Sequence, residues 1–128
     1  MHFGEHVTLD GYGGSARRLD DPAVVTSCLE ELCRALKMRV LYGPCVVAAP
    51  DNRLRDPGGW SGFLVIAESH ISIHTFPKRR FLSADVYSCQ NGIEVAFITD
   101  CLTTRFCLEE VETHFIKRGT KYPEKNVA

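Results

Sequence analysis

From Ser69 to Pro77 the chain reads Ser-His-Ile-Ser-Ile-His-Thr-Phe-Pro. Ile71, Ile73 and Thr75 recur at every second position, and all three are β-branched. A branched Cβ restricts χ1 and packs well on a pleated surface, so the pattern favours a strand with a buried face. Pro77 closes the run, since proline has no N–H for a ladder. Successive strand residues point to opposite sides, so His70, Ser72 and His74 share the other face.

A helix stands ready upstream. Asp21 can cap it, Pro22 suits its first position, and Val25, Leu29, Leu32, Cys33 and Leu36 follow at helical spacing as one apolar stripe. Further strands are expected at 4–12, 39–48 (interrupted by Gly43-Pro44), 60–67, 83–89 and 109–117. Residues 93–106 fit either a helix face through Ile93, Phe97 and Cys101 or strand alternation through Ile93, Val95 and Phe97. Gly11-Tyr12-Gly13-Gly14-Ser15 lacks the spacing and the Lys-Ser/Thr of a phosphate loop and reads as a turn. Residues 50–59 form a polar loop, Lys78-Arg79-Arg80 a solvated turn, and 120–128 a loose polar tail. The order β-α-β-β then β-β-α-β hints at two similar halves whose residues do not repeat. The expected fold is an α/β layered domain with a largely antiparallel sheet and helices on one face.

With 128 residues, 45% hydrophobic and 24% charged, the chain suits a single domain with a packed core. Fifteen Lys+Arg against 16 Asp+Glu leave a formal charge of −1. That balance supplies no general field for nucleic acid or anionic lipid. Apolar runs such as Phe63-Leu64-Val65-Ile66-Ala67 are far short of the roughly 20 residues of a membrane span. The start, Met1-His2-Phe3-Gly4-Glu5-His6, lacks the pattern of a secretory signal. Six cysteines, mostly within apolar patterns, therefore read as reduced thiols of a cytoplasmic protein.

The dense chemistry lies in Glu68-Ser69-His70-Ile71-Ser72-Ile73-His74-Thr75. His70 and His74 have the i, i+4 spacing of a zinc pair, which serves a metal on a helix; this segment is strand-like and offers no third strong ligand nearby. Ser69 and His74 could be protease-like partners, but no glycine elbow surrounds Ser69. A half-buried strand with a polar edge is the plain alternative.

Glu68-Ser69-His70, then His74-Thr75-x-Pro77, then Asp85-Val86-Tyr87-Ser88-Cys89, resemble the prokaryotic S-adenosylmethionine decarboxylase family in residue type and spacing. Gly4-x-His6, Ser61-Gly62 and Lys117-Arg118-Gly119 fit the same pattern. The resemblance covers most of the chain and is densest over 61–89.

It implies a proenzyme that cuts itself between Glu68 and Ser69 into residues 1–68 (β chain) and 69–128 (α chain). Ser69 would attack the Glu68 carbonyl, turning the amide into an ester. Elimination and hydrolysis would then leave a pyruvoyl group where Ser69 stood. By resemblance, His74 abstracts the proton, Ser61 assists processing, and Cys89 protonates the product carbon. A neutral imidazole can serve as base near pH 7, and a thiol with a reference pKa of about 8.5 holds a proton to deliver. The pyruvoyl carbonyl would form a Schiff base with an α-amino group and act as an electron sink, as pyridoxal phosphate does, with no metal and no external cofactor. Ser69 and His74 have opposite strand parity, so the 68–70 junction is expected to turn or bulge for the two to meet. The resemblance also implies a homodimer of cleaved protomers acting on a small amino-acid-type substrate in polyamine biosynthesis.

The substrate side departs from the family. Members acting on S-adenosylmethionine usually carry Phe-His-x-Phe before the Ser61 region, the ring stacking on adenine; here the stretch is Cys45-Val46-Val47-Ala48, followed by a longer loop. Trp-Pro-Glu after His-Thr is replaced by Phe76-Pro77-Lys78. Base stacking contributes roughly 1–3 kcal/mol in nucleic-acid binders, so both changes point away from adenosine. They favour L-arginine or L-ornithine, with Asp51 and Asp56 as anions for a guanidinium or ammonium. S-adenosylmethionine, for spermidine synthesis, is the alternative, and an uncleaved non-catalytic homologue the second.

Overall fold

The computed structural model describes residues 2–54, 57–67 and 69–123. In chain order these form β1 (Gly4–Tyr12), α1 (Ala16–Leu19), α2 (Pro22–Ala35), β2 (Val40–Ala49), β3 (Gly59–Ile66), β4 (Ser69–Phe76), a 3-10 turn (Pro77–Arg79), β5 (Phe81–Ser88), α3 (Val95–Phe106) and β6 (Glu110–Arg118). The six strands make one sheet in the order β2-β3-β4-β5-β1-β6. Each neighbouring pair is antiparallel. The expected layered fold is therefore the observed one.

Helix α2 starts as the sequence indicates: the Asp21 carboxylate accepts from the Ala23 N–H at 2.9 Å, and Pro22 occupies the first turn. Val25, Leu29, Leu32 and Cys33 are buried, and Leu36 packs at the margin. The ambiguous 93–106 segment resolves as a helix from Val95. Ile98, Cys101, Leu102 and Phe106 are its buried residues, at helical spacing, while Val95 and Phe97 are only partly covered. The three- and four-residue period won because this stripe meets the same core as α2. Ile71, Ile73 and Thr75 point into that core with Val7, Leu9, Leu64, Leu82 and Val86.

Gly62 marks where α2 crosses closest. A Cβ there would stand 3.0 Å from Val25 Cγ1 and 3.1 Å from Leu29 Cδ1. The Gly43-Pro44 interruption lies inside β2, where the pairing with β3 shifts register. Lys78, Arg79 and Arg80 are exposed, as a solvated turn requires. Among the described residues no helix is long and apolar enough to cross a membrane.

Among the described residues no helix lies on the sheet's second face. His6, His70, Ser72, His74, Asp85 and Tyr87 lie on it, with Tyr42, Val47, Phe63 and Ile116 exposed.

Candidate active site

The candidate reacting groups lie at the two ends of β4. At its start, Ser69 pairs with Ile66 of β3. Cys89 follows the last residue of β5, and its backbone N–H donates to Ser69 Oγ at 2.9 Å. The Cys89 thiol lies 3.8 Å from the Ala67 carbonyl oxygen. Two residues twenty apart in sequence thus meet, the Ser69 hydroxyl on the Cys89 backbone, because β4 and β5 are antiparallel neighbours. A cleft of about 430 Å³ opens beside them, between the end of α2 and the start of α3, with Met38, Ser88, Glu94 and Phe97 on its walls. Glu68 lies outside the described residues.

At the other end, His74 Nδ1 stands 2.9 Å from Ser61 Oγ. His74 and Ser61 are register partners on the open face. The β3–β4 register runs without a shift from Ser61↔His74 to Ile66↔Ser69. No bulge brings His74 round to Ser69, contrary to the sequence-based expectation. Five residues at the usual rise of ~3.3 Å put the two about 16 Å apart along the strand, on opposite faces. The chain itself therefore brings together Ser69 with Cys89 and His74 with Ser61, but not the two pairs with each other.

Between these ends sits a cluster to which the sequence patterns assign no role. Asp85 Oδ2 meets His6 Nε2 at 2.6 Å and His70 Nε2 at 2.9 Å, while the Ser72 hydroxyl donates to Oδ1. Arg118 Nη1 lies 2.9 Å from His6 Nδ1, and its guanidinium sits 4.8 Å from the Tyr87 ring centre. Arginine only donates, so His6 Nδ1 accepts and its proton resides on Nε2, aimed at Asp85. Burial pushes the Asp85 carboxyl upward. The hydrogen bonds from Ser72, His6 and His70 outweigh burial and hold it below the ordinary carboxylate value. His6, His70 and Asp85 also bring three ligand atoms within 4.8 Å of one another. The Nε2 proton of His6 and the nearby Arg118 cation oppose a metal ion there. Strand parity was the signal for this cluster: residues 6, 70, 72, 85 and 87 face the same way on three adjacent strands.

A carboxyl lowered by folding stabilises the protein above its unfolded-state pKa, and that stability is lost as pH falls through the folded value. The stability gap between wild type and Asp85→Asn should therefore be full at neutral pH. It should shrink once pH drops below about 3.9, the carboxyl's unfolded value. Urea unfolding across that range measures it; a gap independent of pH would remove the assigned role of the Asp85 charge.

The described candidate substrate residues lie apart from Ser69. Asp51 is exposed, and its carboxylate accepts from the Arg53 N–H at 2.6 Å, so it shapes its own loop. Asp56 lies outside the described residues. Phe76 packs on Phe81, with ring centres 5.4 Å apart. Lys78 borders a hollow with Asp20 and Asp21 on the helical side. Val47 stands across from Ser61 and is exposed, while Ala48 pairs with Trp60. Asp51, Phe76, Lys78, Val47 and Ala48 are at the His74 end of the sheet.

The S-adenosylmethionine decarboxylase family matches residues 5–119. This chain belongs to that family. A relative from Clostridium botulinum, an S-adenosylmethionine decarboxylase proenzyme, is 30% identical over 118 residues, 92% of this chain and 96% of its own length. A proenzyme of the same name from Pyrobaculum arsenaticum is 31% identical over 116 residues, 91% of this chain and 88% of its own. The crystal structure of the adenosylmethionine decarboxylase from Aquifex aeolicus superposes with a TM-score of 0.75, covering 98% of both chains at 24% identity, which supports the fold. Family membership makes this chain a pyruvoyl-dependent decarboxylase whose kind is made as a proenzyme.

Proposed function

We propose that the chain cuts itself at Glu68–Ser69 and then decarboxylates S-adenosylmethionine. The observation that carries this reading is the contact of Ser69 Oγ with the Cys89 N–H, which seats the nucleophile against the backbone of the residue that bears the thiol. Attack of Ser69 Oγ on the Glu68 carbonyl breaks the C–N bond and forms an ester, the proton passing to the freed amine. Loss of the Ser69 α-proton expels the Glu68 carboxylate and leaves dehydroalanine. Hydrolysis then releases ammonia. The position fits the group it is to carry: a β-hydroxyl residue begins the strand, with a thiol beside it. The resulting pyruvoyl supplies a carbonyl for a substrate amino group and an electron sink for loss of carbon dioxide. Cys89 holds the proton to be delivered to the substrate carbon. The reading calls for no metal and no pyridoxal phosphate, nucleic acid or membrane.

The names of the proenzyme relatives support S-adenosylmethionine over the basic amino acid favoured from sequence. Two observations keep arginine or ornithine as a second reading. Val47 and Ala48 offer no ring beside the Ser61–His74 pair, and Glu94 borders the cleft near Cys89. A panel of the three carboxyl-labelled substrates decides between them. S-adenosylmethionine is expected to release carbon dioxide; release confined to arginine or ornithine would replace it. Release from none, with an uncut chain, would establish the non-catalytic homologue.

The split between the two ends of β4 supports a homodimer of cleaved protomers, paired through the open sheet faces. Exposed Tyr42, Val47, Phe63 and Ile116 supply apolar surface for the pairing. The His74–Ser61 pair of one copy, on the open face, would then reach Ser69 of the other from past the start of β4, where the strand begins. Co-expressed Ser69→Ala and His74→Ala chains test it: the His74→Ala chain should be cut in the mixture and remain whole alone. A His74→Ala chain never cut beside its complement would rule out sharing. Six free cysteines suit a reducing cytoplasm. The product would supply aminopropyl groups for spermidine.

A further inference from the structure

We infer that Asp85 is a positioning residue for His70, the residue whose amide nitrogen joins the Ser69-derived group to the rest of the chain. This rests on the processing reading above. The geometry is specific. One carboxylate on β5 gathers donors from β1 and β4: His6 Nε2 at 2.6 Å, His70 Nε2 at 2.9 Å, and the Ser72 hydroxyl.

An ionised carboxylate only accepts, so both rings must present Nε2–H to it. Arg118 reinforces the His6 half, because its guanidinium donates to Nδ1 and leaves that ring a single neutral tautomer. The line Arg118 to His6 to Asp85 is thus fixed by donor and acceptor type at each step. His70 is the end of it that adjoins the chemistry. Its ring also packs against Tyr87, with ring centres 5.7 Å apart.

Ser69 and His70 occupy the first two positions of β4, where the strand has just begun. Ser69 is paired with Ile66 of β3, while His70 is paired on both sides, with Val65 and Tyr87, so His70 is the residue through which the sheet holds the strand start. Holding the His70 side chain from β5 fixes the orientation of the peptide between Ser69 and His70. That peptide carbonyl must stay conjugated with the neighbouring keto group for electrons to spread into it. Small misplacements of a reacting group can cost on the order of 10²-fold in rate.

Asparagine is nearly isosteric with aspartate but offers one acceptor oxygen and an NH2 that donates. It cannot receive Ser72, His6 and His70 in the present arrangement. The expected result for Asp85→Asn is a kcat about 100-fold lower in the chains that are cut, with KM nearly unchanged.

The independent readout is the imidazole tautomer, followed by long-range proton–nitrogen-15 NMR of the Ser69→Ala chain, in which no cleavage or turnover is required. With Asp85 present, His6 and His70 should both show the Nε2–H signature at neutral pH. With Asp85→Asn added, the His70 signature should change. An Nδ1–H signature for His70 in the Asp85-containing chain overturns the inference, and needs no Asp85 variant to fold. So does an Asp85→Asn protein with an unchanged His70 signature, or one with a changed signature and full kcat. If the wild-type chain proves never to be cut, the tautomer measurement still tests the Asp85–His70 link, and the two failures remain separate.

Discussion

Ser69→Ala is expected to leave a single full-length chain on a denaturing gel, with carbon dioxide release reduced to background. Alanine retains the strand position but lacks the oxygen that attacks Glu68 and the leaving group that elimination requires. The change is also mild for the fold. Ser69 sits at the start of β4, half-buried, and the loss includes the hydrogen bond from the Cys89 N–H, a net contribution of about 1 kcal/mol. An uncut chain can therefore be assigned to missing chemistry once circular dichroism shows the fold retained. Cleavage of Ser69→Ala at the same bond would remove Ser69 from the mechanism.

Cys89→Ala separates making the prosthetic group from using it. The contact to Ser69 comes from the Cys89 backbone, which alanine keeps, so self-cleavage should continue. Turnover should fall by about 10²- to 10⁴-fold, the range of a lost general acid. Protonation at the wrong carbon should also inactivate the enzyme progressively, by converting the pyruvoyl to an amine. The measurement is fragment yield on a gel beside initial rate and its decay. Normal turnover would leave Cys89 a packing thiol, and blocked cleavage would move it into processing.

The alternation of Ile71, Ile73 and Thr75 made β4 legible, and the capped stripe from Val25 to Leu36 made α2 legible. Both patterns are local and both bury one face. Residues 93–106 were undecided because Ile93, Val95 and Phe97 alternate as well as any strand. Only the shared core, reached by Ile98, Leu102 and Phe106, separates the two periods. The family resemblance carried by Glu68-Ser69-His70, His74 and Cys89 pointed to a pyruvoyl-dependent decarboxylase, which the family match bears out. Its spatial division was less visible: parity warned that Ser69 and His74 face apart, but only the unbroken β3–β4 register shows that the chain does not correct it. The Asp85 cluster depends on three strands that are neighbours in space and distant in sequence. His6 and Asp85 become partners only once β1 is known to lie beside β5.

Intact-mass spectrometry of the purified wild-type protein tests pyruvoyl-forming self-cleavage at Glu68–Ser69 most directly. Two chains are expected, residues 1–68 and 69–128. The second should be lighter than a serine-initiated fragment by the mass of ammonia, and borohydride should reduce its new keto group. A single uncut chain, or a 69–128 fragment still beginning with intact serine, would contradict it.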